Sequence, residues 1–393
     1  MTQEPNIFPY IARLLQGAEV VWKPLGEVAE IKTGQTVSKN IIAENTGNYP
    51  VINSGREPLG FINTWNTDND PIGITSRGAG VGSVTWQEGK YFRGNLNYSV
   101  SIYDSSILDT RFLYHLLLQM QIDIQALCTF QGIPALNAAN LKKLSIPLPP
   151  LSVQQEIVRI LDKFTQLEAE LEAELDCRKR QYEYYRNKLL SYEGNEVEWK
   201  TLGEVGEIRM CKRILKEQTS DYGEVPFYKI GTFGKEADAY ISKELFNEYR
   251  AKYNYPNVGD ILISASGTIG RTVIFDGKEA YFQDSNIVWI ENDQKKVLNK
   301  YLFYCYQIAK WNISEGGTIL RLYNENLRKT LIPIPYPNNP KKSLEEQNRI
   351  VTILDKFDTL VNSISEGLPK EIALRKKQYE YYREQLLTFT NDK

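Results

Sequence analysis

The sequence RKRQYEYYRNKLLSY occupies Arg178–Tyr192 and returns as RKKQYEYYREQLLTF at Arg375–Phe389, 197 residues further along the chain. A second pair of segments lies 177 residues apart and consists of EVVWKPLGEVAEI at Glu19–Ile31 and EVEWKTLGEVGEI at Glu196–Ile208. Repeats of this length indicate two copies of a whole domain plus a helix, rather than a solenoid of short units. A chain that repeats its scaffold while the segments between diverge is expected to read two different things with one architecture.

Length and composition suit a globular protein of two or three domains, since 393 residues allow each domain its own core. No apolar run approaches the ~20 residues needed to cross a bilayer, and the first residues lack the order of a signal peptide. The cysteines are widely separated and form no C-x-x-C pair. We therefore expect a cytoplasmic protein with free thiols and no membrane partner.

Charge is balanced along the chain. The net charge is −2, with 11 basic and 12 acidic side chains in residues 1–151 and 19 and 20 in residues 193–340. Binding to nucleic acid would therefore use local patches, and affinity of the chain alone should be modest. The single histidine, His115, lies in the apolar stretch FLYHLLL and is expected to be packed, so no metal site is predicted.

The repeat predicts a strand-rich first segment that follows a short helix at Ile7–Leu15, a helical segment, and then a second copy of each. The predicted segments are residues 1–150, 151–192, 193–340 and 341–393. I-P-L-P and I-P-I-P stops close the two strand-rich segments.

The first long helix is predicted to begin at Ser152, with Gln155 completing a capping box. Its apolar face runs for about 40 residues, or ~60 Å. That face consists of Ile157, Leu161, Phe164, Leu167, Leu171, Leu175, Tyr182, Tyr185 and Leu189.

The second long helix is predicted to begin at Ser343, with Glu346 at the box position. Its apolar residues follow a heptad spacing and are Ile350, Leu354, Phe357, Val361, Ile364 and Leu368. Gly367 and Pro369 should break or kink this helix before it resumes.

Each long helix has one apolar stripe and therefore needs a partner, and no spare segment could support a parallel pairing. The predicted fold is α+β, with two strand-rich domains joined by two long antiparallel coiled-coil helices in a pseudo-two-fold arrangement. Antiparallel pairing predicts that Phe164 lies nearer to the distal end of the second helix than to Phe357.

A pseudo-dyad matches the dyad of duplex DNA, where paired modules read two half-sites. The turns of both copies carry side chains that pair with guanine or adenine, or that hold phosphates. In the first copy these candidate DNA-binding residues are Lys39, Asn53, Arg56, Ser76, Arg77, Asn95, Asn97 and Gln131. In the second copy they are Lys212, Arg213, Lys229, Thr232, Ser264, Ser266, Arg271, Gln283, Asn286, Thr318 and Arg321. Each of these residue types is also common in turns without any ligand.

Together, the paired QYEYYR segments, ILDKF helix starts, EWK-LGEV domain starts and I-P-L-P stops resemble the specificity subunit of type I restriction–modification enzymes, over essentially the whole chain. The resemblance implies two target-recognition domains, each reading one half of a bipartite site in double-stranded DNA. It implies as partners two methyltransferase subunits that methylate adenine, and restriction subunits that act as translocase and nuclease. It also implies that S-adenosylmethionine, ATP and Mg are bound by those partners and no cofactor by this chain. LEAELEAEL at Leu167–Leu175 resembles a tetrapeptide repeat of the first helical region in some members.

The residues themselves give no sign of catalysis. The chain lacks an N-P-P-F or D-P-P-Y tetrapeptide of an adenine methyltransferase and a G-x-x-x-x-G-K-[ST] loop. The glycine-rich segment Gly78–Gly82 is followed by SVTW, which favours a turn before a strand over a nucleotide loop.

Each QYEYYR segment places three tyrosines within four residues, and these cannot all face one helix stripe because adjacent positions lie ~100° apart. The outward side chains have the composition of an interface. The candidate contacts to the methyltransferase subunits are Tyr182, Tyr185, Arg186, Tyr379, Tyr382 and Arg383. The alternative is that these residues only fasten the helices to the domains.

Two other functions remain open on the sequence. The recognition subunit of a type IIB-like restriction–modification complex would keep the DNA role and change the partners. A coiled-coil adaptor without a DNA role would use the helices alone.

Overall fold

A computed structural model describes residues 8–55, 57–192, 196–313 and 320–389. The chain divides into two compact units. Unit 1 comprises Met1–Glu172 and Glu371–Lys393, and unit 2 comprises Ala173–Lys370. Within the described residues, no helix has both the length and the apolar character needed to span a membrane.

Unit 1 is built of short strands and helices followed by the first half of a long helix. Its elements are α1 (Pro9–Leu15), β1 (Val21–Pro24), α2 (Leu25–Val28), β2 (Ala29–Thr33), α3 (Lys39–Glu44), β3 (Thr46–Ile52), β4 (Phe61–Ile62), β5 (Ile72–Thr75), β6 (Val84–Trp86), β7 (Phe92–Arg93), β8 (Asn97–Ile102), α4 (Thr110–Gln119), α5 (Gln121–Ala126), β9 (Cys128–Thr129), β10 (Ala135–Leu136), α6 (Ala138–Leu141), β11 (Ser145–Leu148) and the start of α7 (Leu151–Ser191).

Unit 2 follows the second half of α7 and has a similar order of strands. Its elements are β12 (Val197–Thr201), α8 (Leu202–Val205), β13 (Gly206–Arg209), a 3-10 turn (Lys216–Gln218), β14 (Val225–Tyr228), β15 (Tyr240–Ile241), α9 (Lys243–Lys252), β16 (Ile261–Ser264), β17 (Thr272–Ile274), β18 (Tyr281–Phe282), β19 (Ile287–Asn292), α10 (Asn299–Ile308), α11 (Asn324–Arg328), β20 (Leu331–Pro335) and α12 (Pro340–Asn362). The last helix, α13 (Leu368–Leu387), begins in unit 2 and continues into unit 1.

The sheets of the two units correspond. A four-stranded sheet has the order β2-β8-β5-β6 in unit 1 and β13-β19-β16-β17 in unit 2. A three-stranded sheet has the order β4-β3-β7 in one unit and β15-β14-β18 in the other, and a two-stranded sheet pairs β1 with β11 and β12 with β20. The strands β5 and β16 lie inside the larger sheets and are buried at every position, including the polar residues Thr75 and Ser264 at their ends.

The units differ in the core beneath the three-stranded sheet. In unit 1 this core is small and consists of Val37, Ile42, Val51 and Ile62. In unit 2 it is large and aromatic, includes Phe227, Phe233, Phe246 and Tyr281, and extends to Trp289 of β19 in the four-stranded sheet. The repeated framework therefore holds two different interiors.

The helices pair antiparallel inside each unit, as predicted. In unit 1, Phe164 of α7 stacks on Tyr382 of α13 with ring centroids 5.3 Å apart, while Lys376 pairs with Glu172 at 3.0 Å. In unit 2, Phe357 of α12 stacks on Tyr185 of α7 at 5.5 Å. Phe164 thus meets the distal part of the second helical region. The pseudo-two-fold relation and the segment boundaries stay predictions.

Both predicted helix starts are wrong by a few residues. The helix α7 begins at Leu151, so Ser152 lies inside its first turn, where the carbonyl of Pro150 accepts from Val153 and Gln154. The helix α12 begins at Pro340 after Asn339, whose side chain accepts from the N–H of Lys342. Asparagine is a strong N-cap and proline suits the first helical turn, so this pair precedes the predicted cap at Ser343.

The predicted break in the second helical region is confirmed. The helix α12 ends at Asn362 and α13 begins at Leu368, and a Cβ added to Gly367 would overlap the backbone oxygen of Thr359. Ile364, which was predicted to lie on the apolar seam, is instead 86% exposed because it falls within this break.

Candidate nucleic-acid interface

Three loops of unit 1 meet through backbone hydrogen bonds. The N–H of Gly78 donates to the carbonyl of Pro134 at 2.9 Å, and the N–H of Leu136 donates to Ser76 at 2.8 Å. The N–H of Ser76 in turn donates to the carbonyl of Leu96 at 2.9 Å. We call this set, Ser76–Gly78, Leu96 and Pro134–Leu136, loop junction 1.

Unit 2 has the same three contacts. The N–H of Gly267 donates to the carbonyl of Leu320 at 3.1 Å, and the N–H of Leu322 donates to Ala265 at 2.8 Å. The N–H of Ala265 donates to the carbonyl of Asn286 at 2.7 Å. We call Ala265–Gly267, Asn286 and Leu320–Leu322 loop junction 2. The loops that carry most of the predicted DNA-binding residues are therefore brought together in both units.

In unit 1 the predicted residues divide into exposed and buried groups. Arg77 and Gln131 are exposed and Asn95 is half-buried, all in the loops of loop junction 1. Lys39 is exposed at the start of α3, away from that junction. Ser76 is buried and joins the junction through its backbone. Arg56 lies outside the described residues.

Two of the predicted asparagines of unit 1 act inside the loops. The side-chain oxygen of Asn53 accepts from the N–H of Leu96 at 2.9 Å, and Asn53 is buried. Asn97 is fully buried, and its side-chain oxygen accepts from the guanidinium of Arg93 at 2.6 Å. These side chains satisfy backbone and core groups rather than facing solvent.

Most predicted residues of unit 2 also have internal partners. Ser266 donates to the side-chain oxygen of Asn286 at 2.8 Å, and Ser264 accepts from the N–H of Arg271 at 2.9 Å. The other internal contacts are Gln283 with the N–H of Ile230, Arg271 with the carbonyl of Phe233, Thr232 with Lys229, Lys229 with Asp238, Arg213 with Asp284, and Lys212 with the ring of Tyr253. Arg321 is exposed, and Thr318 lies outside the described residues.

The sequence reasoning missed Arg93, which is 3% exposed and hydrogen-bonds groups of β5 and β8 below the loops. Its guanidinium donates to the carbonyls of Asp70, Ile72 and Tyr98 and to the hydroxyl of Tyr91. Burial lowers the pKa of Arg93 and raises that of Tyr91 to about 12. A charged residue inside the run YFRGN was the available signal, since a buried arginine must be surrounded by acceptors.

A second feature missed from the sequence is the apolar tip of the hairpin formed by β9 and β10. Phe130 and Ile133 are each 64% exposed there, on either side of Gln131 and Gly132. Gly132 has a φ of +82°, which glycine adopts without strain. Large apolar residues beside Gln-Gly in the run TFQGIP gave the signal.

The glycine-rich segment Gly78–Gly82 is a turn, as predicted, and leads into the strand β6. The N–H of Val81 donates to the carbonyl of Gly78 at 3.0 Å, and Gly78 and Gly82 have φ values of +97° and +80°. No helix follows that could bind a phosphate at its N-terminus. Among the described residues, no cluster of His, Cys, Asp or Glu has a metal-binding arrangement.

The repeated helical segments meet each domain at a polar cluster. Helical junction 1 consists of Arg111, His115 and Gln119 from α4, Asp162 from α7, and Tyr379 and Arg383 from α13. Helical junction 2 consists of Lys300, Tyr304 and Gln307 from α10, Asp355 from α12, and Tyr182 and Arg186 from α7. The aspartates come from the repeated ILDKF and the tyrosine–arginine pairs from the repeated QYEYYR segments, whereas the two glutamines stand one helix position apart.

In helical junction 1, Asp162 accepts from Arg111 and from Nε2 of His115, both at 2.8 Å. Nδ1 of His115 lies 3.0 Å from the hydroxyl of Tyr379. Burial lowers the pKa of the fully buried His115 and outweighs the opposing effect of Asp162. Burial also raises the pKa of Asp162, but hydrogen bonds from His115 and Arg111 outweigh it and lower the pKa overall. The histidine is therefore neutral, donates from Nε2 and accepts from Tyr379.

In helical junction 2, Asp355 accepts from Lys300 at 2.8 Å and from the hydroxyl of Tyr304. Burial and the hydrogen bond to Asp355 raise the pKa of Tyr304. Arg186 donates to Gln307 at 3.0 Å, just as Arg383 donates to Gln119 at 3.1 Å in the other junction. The two clusters hold equivalent aspartates and differ in both donors, with Arg111 and His115 in one and Lys300 and Tyr304 in the other.

A buried glutamine stands beside each cluster. The side-chain oxygen of Gln154 accepts from the N–H of Asp109, and its amide donates to the carbonyls of Ile107 and Pro149, each at 2.8 Å. Gln347 accepts from the N–H of Leu298 at 2.9 Å and donates to the carbonyl of Lys296 and the hydroxyl of Ser343. Both glutamines are fully buried.

The tyrosines predicted to contact methyltransferase subunits make internal contacts. Tyr182 is 6% exposed, and Tyr379 and Tyr382 are half-buried against His115 and Phe164. Tyr185 is exposed along one edge while it stacks on Phe357. The tyrosines that face outward most in each segment are Tyr184 and Tyr381, at 58% and 54%. Assignment of these segments to a partner subunit stays a prediction.

Comparison with known proteins identifies the repeat. Residues 18–176 and 195–374 each match the type I restriction modification DNA specificity domain. The chain is 50% identical to a Haemophilus influenzae protein assigned as a type I restriction enzyme specificity subunit, over 97% of this chain and 98% of that protein. It is 32% identical to a type I restriction enzyme specificity subunit of Escherichia coli, over 97% of both chains.

Solved structures agree at the level of the fold. The S subunit of a type I restriction–modification system from M. genitalium has a TM-score of 0.57 at 18% identity, covering 95% of this chain and 98% of that one. A chain from a structure of type I complex assembly and conformational transition also has a TM-score of 0.57, at 16% identity and over 94% and 98% of the two chains. With two copies of the specificity domain along nearly its whole length, this protein belongs to the family of type I restriction–modification specificity subunits.

Proposed function

We propose that unit 1 and unit 2 each read one half of a bipartite DNA site, within the DNA-recognition role that the family has in type I restriction–modification. One observation carries the proposal. Loop junctions 1 and 2 have the same backbone hydrogen bonds but expose different side chains. Since base contacts specify sequence while phosphate contacts position the protein, one framework with two side-chain sets suits two different half-sites.

We further propose that the chain is not catalytic and binds no cofactor. In this proposal it positions two methyltransferase subunits, which carry S-adenosylmethionine, for adenine methylation, and it joins restriction subunits that carry ATP and Mg. The proposal is supported by the turn at Gly78–Gly82, which lacks a following helix, and by the neutral, packed state of His115. The QYEYYR segments, with Arg186 and Arg383, are the proposed partner contacts.

The type IIB-like complex remains the nearest alternative, because it needs the same DNA-reading chain. Purifying the native complex distinguishes the two, since a type I complex would contain a separate ATP-driven translocase subunit. The adaptor alternative does not explain why both loop junctions expose an arginine.

The main test replaces residues 24–145 with the equivalent segment of a family member that methylates a different site. Methylated adenines are then mapped in a host genome with the wild-type and the exchanged subunit in the full complex. One half-site should change while the other keeps its sequence. A methylome in which both half-sites change would contradict independent reading.

A second test uses the tetrads in α7. Lys376 pairs with Glu168 at 3.2 Å and Glu172 at 3.0 Å, one tetrad apart, so an added LEAE would again place a glutamate near it. Four helical residues add about 40° beyond one turn and ~6 Å, and one base pair rotates DNA by about 34–36°. Inserting LEAE after Glu170 should keep both half-sites and lengthen the spacer between them by about one base pair. An active complex with an unchanged spacer would refute this.

A further inference from the structure

One contact occurs at the same place in both loop junctions. An isolated antiparallel bridge joins Arg77 to Ala135 in unit 1 and Ser266 to Arg321 in unit 2. The hydrogen bonds on either side of each bridge match, because Gly78 and Leu136 bond as Gly267 and Leu322 do. Arg77 therefore corresponds to Ser266, and Ala135 corresponds to Arg321.

Each bridge carries one arginine, but from opposite segments. In unit 1 the arginine stands on the turn that follows β5, whereas in unit 2 it stands on the segment that leads to α11. The opposite position holds a small side chain in both cases, either Ala135 or the buried Ser266, which donates to Asn286. Only one long side chain projects from each bridge.

The two arginines are free in a way that the neighbouring cations are not. Arg77 and Arg321 are exposed, and within the described residues neither forms an ion pair or hydrogen-bonds through its side chain. Arg213 and Lys229, by contrast, pair with Asp284 and Asp238, and Arg271 donates to a carbonyl. An exposed guanidinium without a carboxylate keeps all its donors for a ligand.

The backbone around each arginine is held on both sides, so its position is set before any ligand binds. Such preorganisation lowers the conformational entropy lost on binding. Arginine pairs bidentately with the O6 and N7 acceptors of guanine, which is the commonest specific contact in the major groove. A lysine at the same place would keep the charge but lose the paired geometry.

We propose that the bridge position is a specificity determinant, at which Arg77 reads a guanine in one half-site and Arg321 reads a guanine in the other. This inference rests on the proposed reading of one half-site by each unit. The arginine stands on opposite segments of the bridge in the two units. The two units therefore read different positions relative to their shared framework. Each half-site methylated by the wild-type complex accordingly contains a G·C pair at a fixed position.

The test maps methylation by the full complex for Arg77→Ala, Arg77→Lys and the transposed variant Arg77→Ser/Ala135→Arg, which copies the arrangement of unit 2. Both single variants should relax discrimination at one base pair of the first half-site by roughly 5- to 150-fold. The transposed variant should move the guanine preference to another position in that half-site. The second half-site should stay unchanged in all three variants, and Arg321→Ala should produce the mirror result.

Lys143→Ala is the matched control, since it removes an exposed cation of unit 1 outside loop junction 1. It should leave the base preference intact. Where a variant methylates too weakly to map, binding of the purified complex to duplexes varied at each position of the first half-site gives the same information. That measurement includes the salt dependence of affinity.

Several results would overturn the inference. One is that Arg77→Ala weakens binding to all sequences equally and reduces the salt slope by about one, which is the behaviour of a phosphate contact. An unchanged preference in the arginine variants, or a half-site without a G·C pair, would also exclude it. If the exchange of residues 24–145 alters one half-site while Arg77→Ala does not, only this inference fails. If that exchange alters neither or both half-sites, the proposed function fails.

Discussion

Helical junction 1 and helical junction 2 hold the same carboxylate, that of the repeated ILDKF, with different donors. Asp162 is held by Arg111 and His115, whereas Asp355 is held by Lys300 and Tyr304. In both units a cation and a second donor face this aspartate, and that second donor is an imidazole in one and a phenol in the other. The single histidine of the chain is one of two equivalent solutions to a packing problem.

The largest expected effect tests whether the two junctions are energetically equivalent. Gln154→Leu leaves one N–H and two carbonyls without their side-chain partner, and Gln347→Leu leaves one N–H, one carbonyl and the hydroxyl of Ser343. Each should lower the free energy of unfolding by about 3 kcal/mol. Hydrogen exchange resolved by peptide assigns each loss to its own unit. A loss confined to unit 1 for Gln154→Leu and to unit 2 for Gln347→Leu is expected. Equal loosening of both units by either variant would contradict this.

A smaller effect is expected from removing the second donor to the aspartate, which is His115 in helical junction 1 and Tyr304 in helical junction 2. Tyr304→Phe deletes a hydroxyl that donates to a carboxylate, and His115→Phe deletes the matching imidazole. Each should cost about 2 kcal/mol, since hydrogen bonds to charged groups contribute roughly 1.5–3 kcal/mol. Urea denaturation followed by fluorescence and by hydrogen exchange measures both. If only one variant is destabilised, the junctions are not equivalent.

The aromatic contacts between the helices should matter less. Phe164 stacks on Tyr382 and Phe357 stacks on Tyr185. Phe164→Leu and Phe357→Leu keep an apolar side chain and lose the ring contact, so each should cost about 1 kcal/mol. The matched control is Leu374→Ala, because Leu374 is 50% exposed on α13 and its truncation removes little buried apolar surface. A control loss as large as those of the two variants would show that the stacks add nothing.

The smallest expected effect is a pH dependence of stability in unit 1 that unit 2 lacks. Burial lowers the pKa of His115 in the folded protein, so the unfolded chain binds a proton first as the pH falls. Stability from this group is therefore complete well above the ordinary histidine pKa of about 6.5 and is lost progressively below it. Between pH 7.5 and 6.0 the loss is at most about 0.8 kcal/mol.

Unit 1 should lose this increment of protection from hydrogen exchange while unit 2 keeps its own, because Tyr304 remains protonated throughout that range. His115→Tyr, which copies the donor of helical junction 2, should remove the difference. The contribution of Asp162, whose pKa is lowered, is lost only in more acidic solution. A pH response of equal size in both units would exclude His115 as its source.

The sequence predicted the framework well because the repeat fixes it in duplicate. The antiparallel helices and the packed histidine follow from the spacing of apolar residues, and the break before Leu368 follows from Gly367 and Pro369. The predicted helix starts were wrong. At the second helix, Asn339 as N-cap with Pro340 in the first turn starts the helix before Ser343. The prediction that Ile364 is packed was wrong, because the heptad spacing does not continue through the break at Gly367.

The candidate site was predictable as a set of loops but not as a set of exposed side chains. Asn53, Asn97, Ser264 and Ser266 are residue types that read DNA, yet the same groups satisfy loop backbone and core atoms here. Residue type alone cannot tell these uses apart, and for Asn53 and Ser266 the deciding partners, Leu96 and Asn286, lie far along the chain. Arg93 was missed for the same reason, since its acceptors come from the segments around β5 and β8.

Loop junctions 1 and 2 are held by peptide groups, and this has an evolutionary consequence. A joint made of N–H and carbonyl groups is indifferent to most substitutions, so mutations at its exposed positions can be sampled without first solving a folding problem. The transposed arginine of Arg77 and Arg321 is the kind of variation that such a joint permits. A duplicated chain of this design can acquire a new target by drift and selection at a few surface positions, while the QYEYYR segments that fasten each domain stay the same in its two copies.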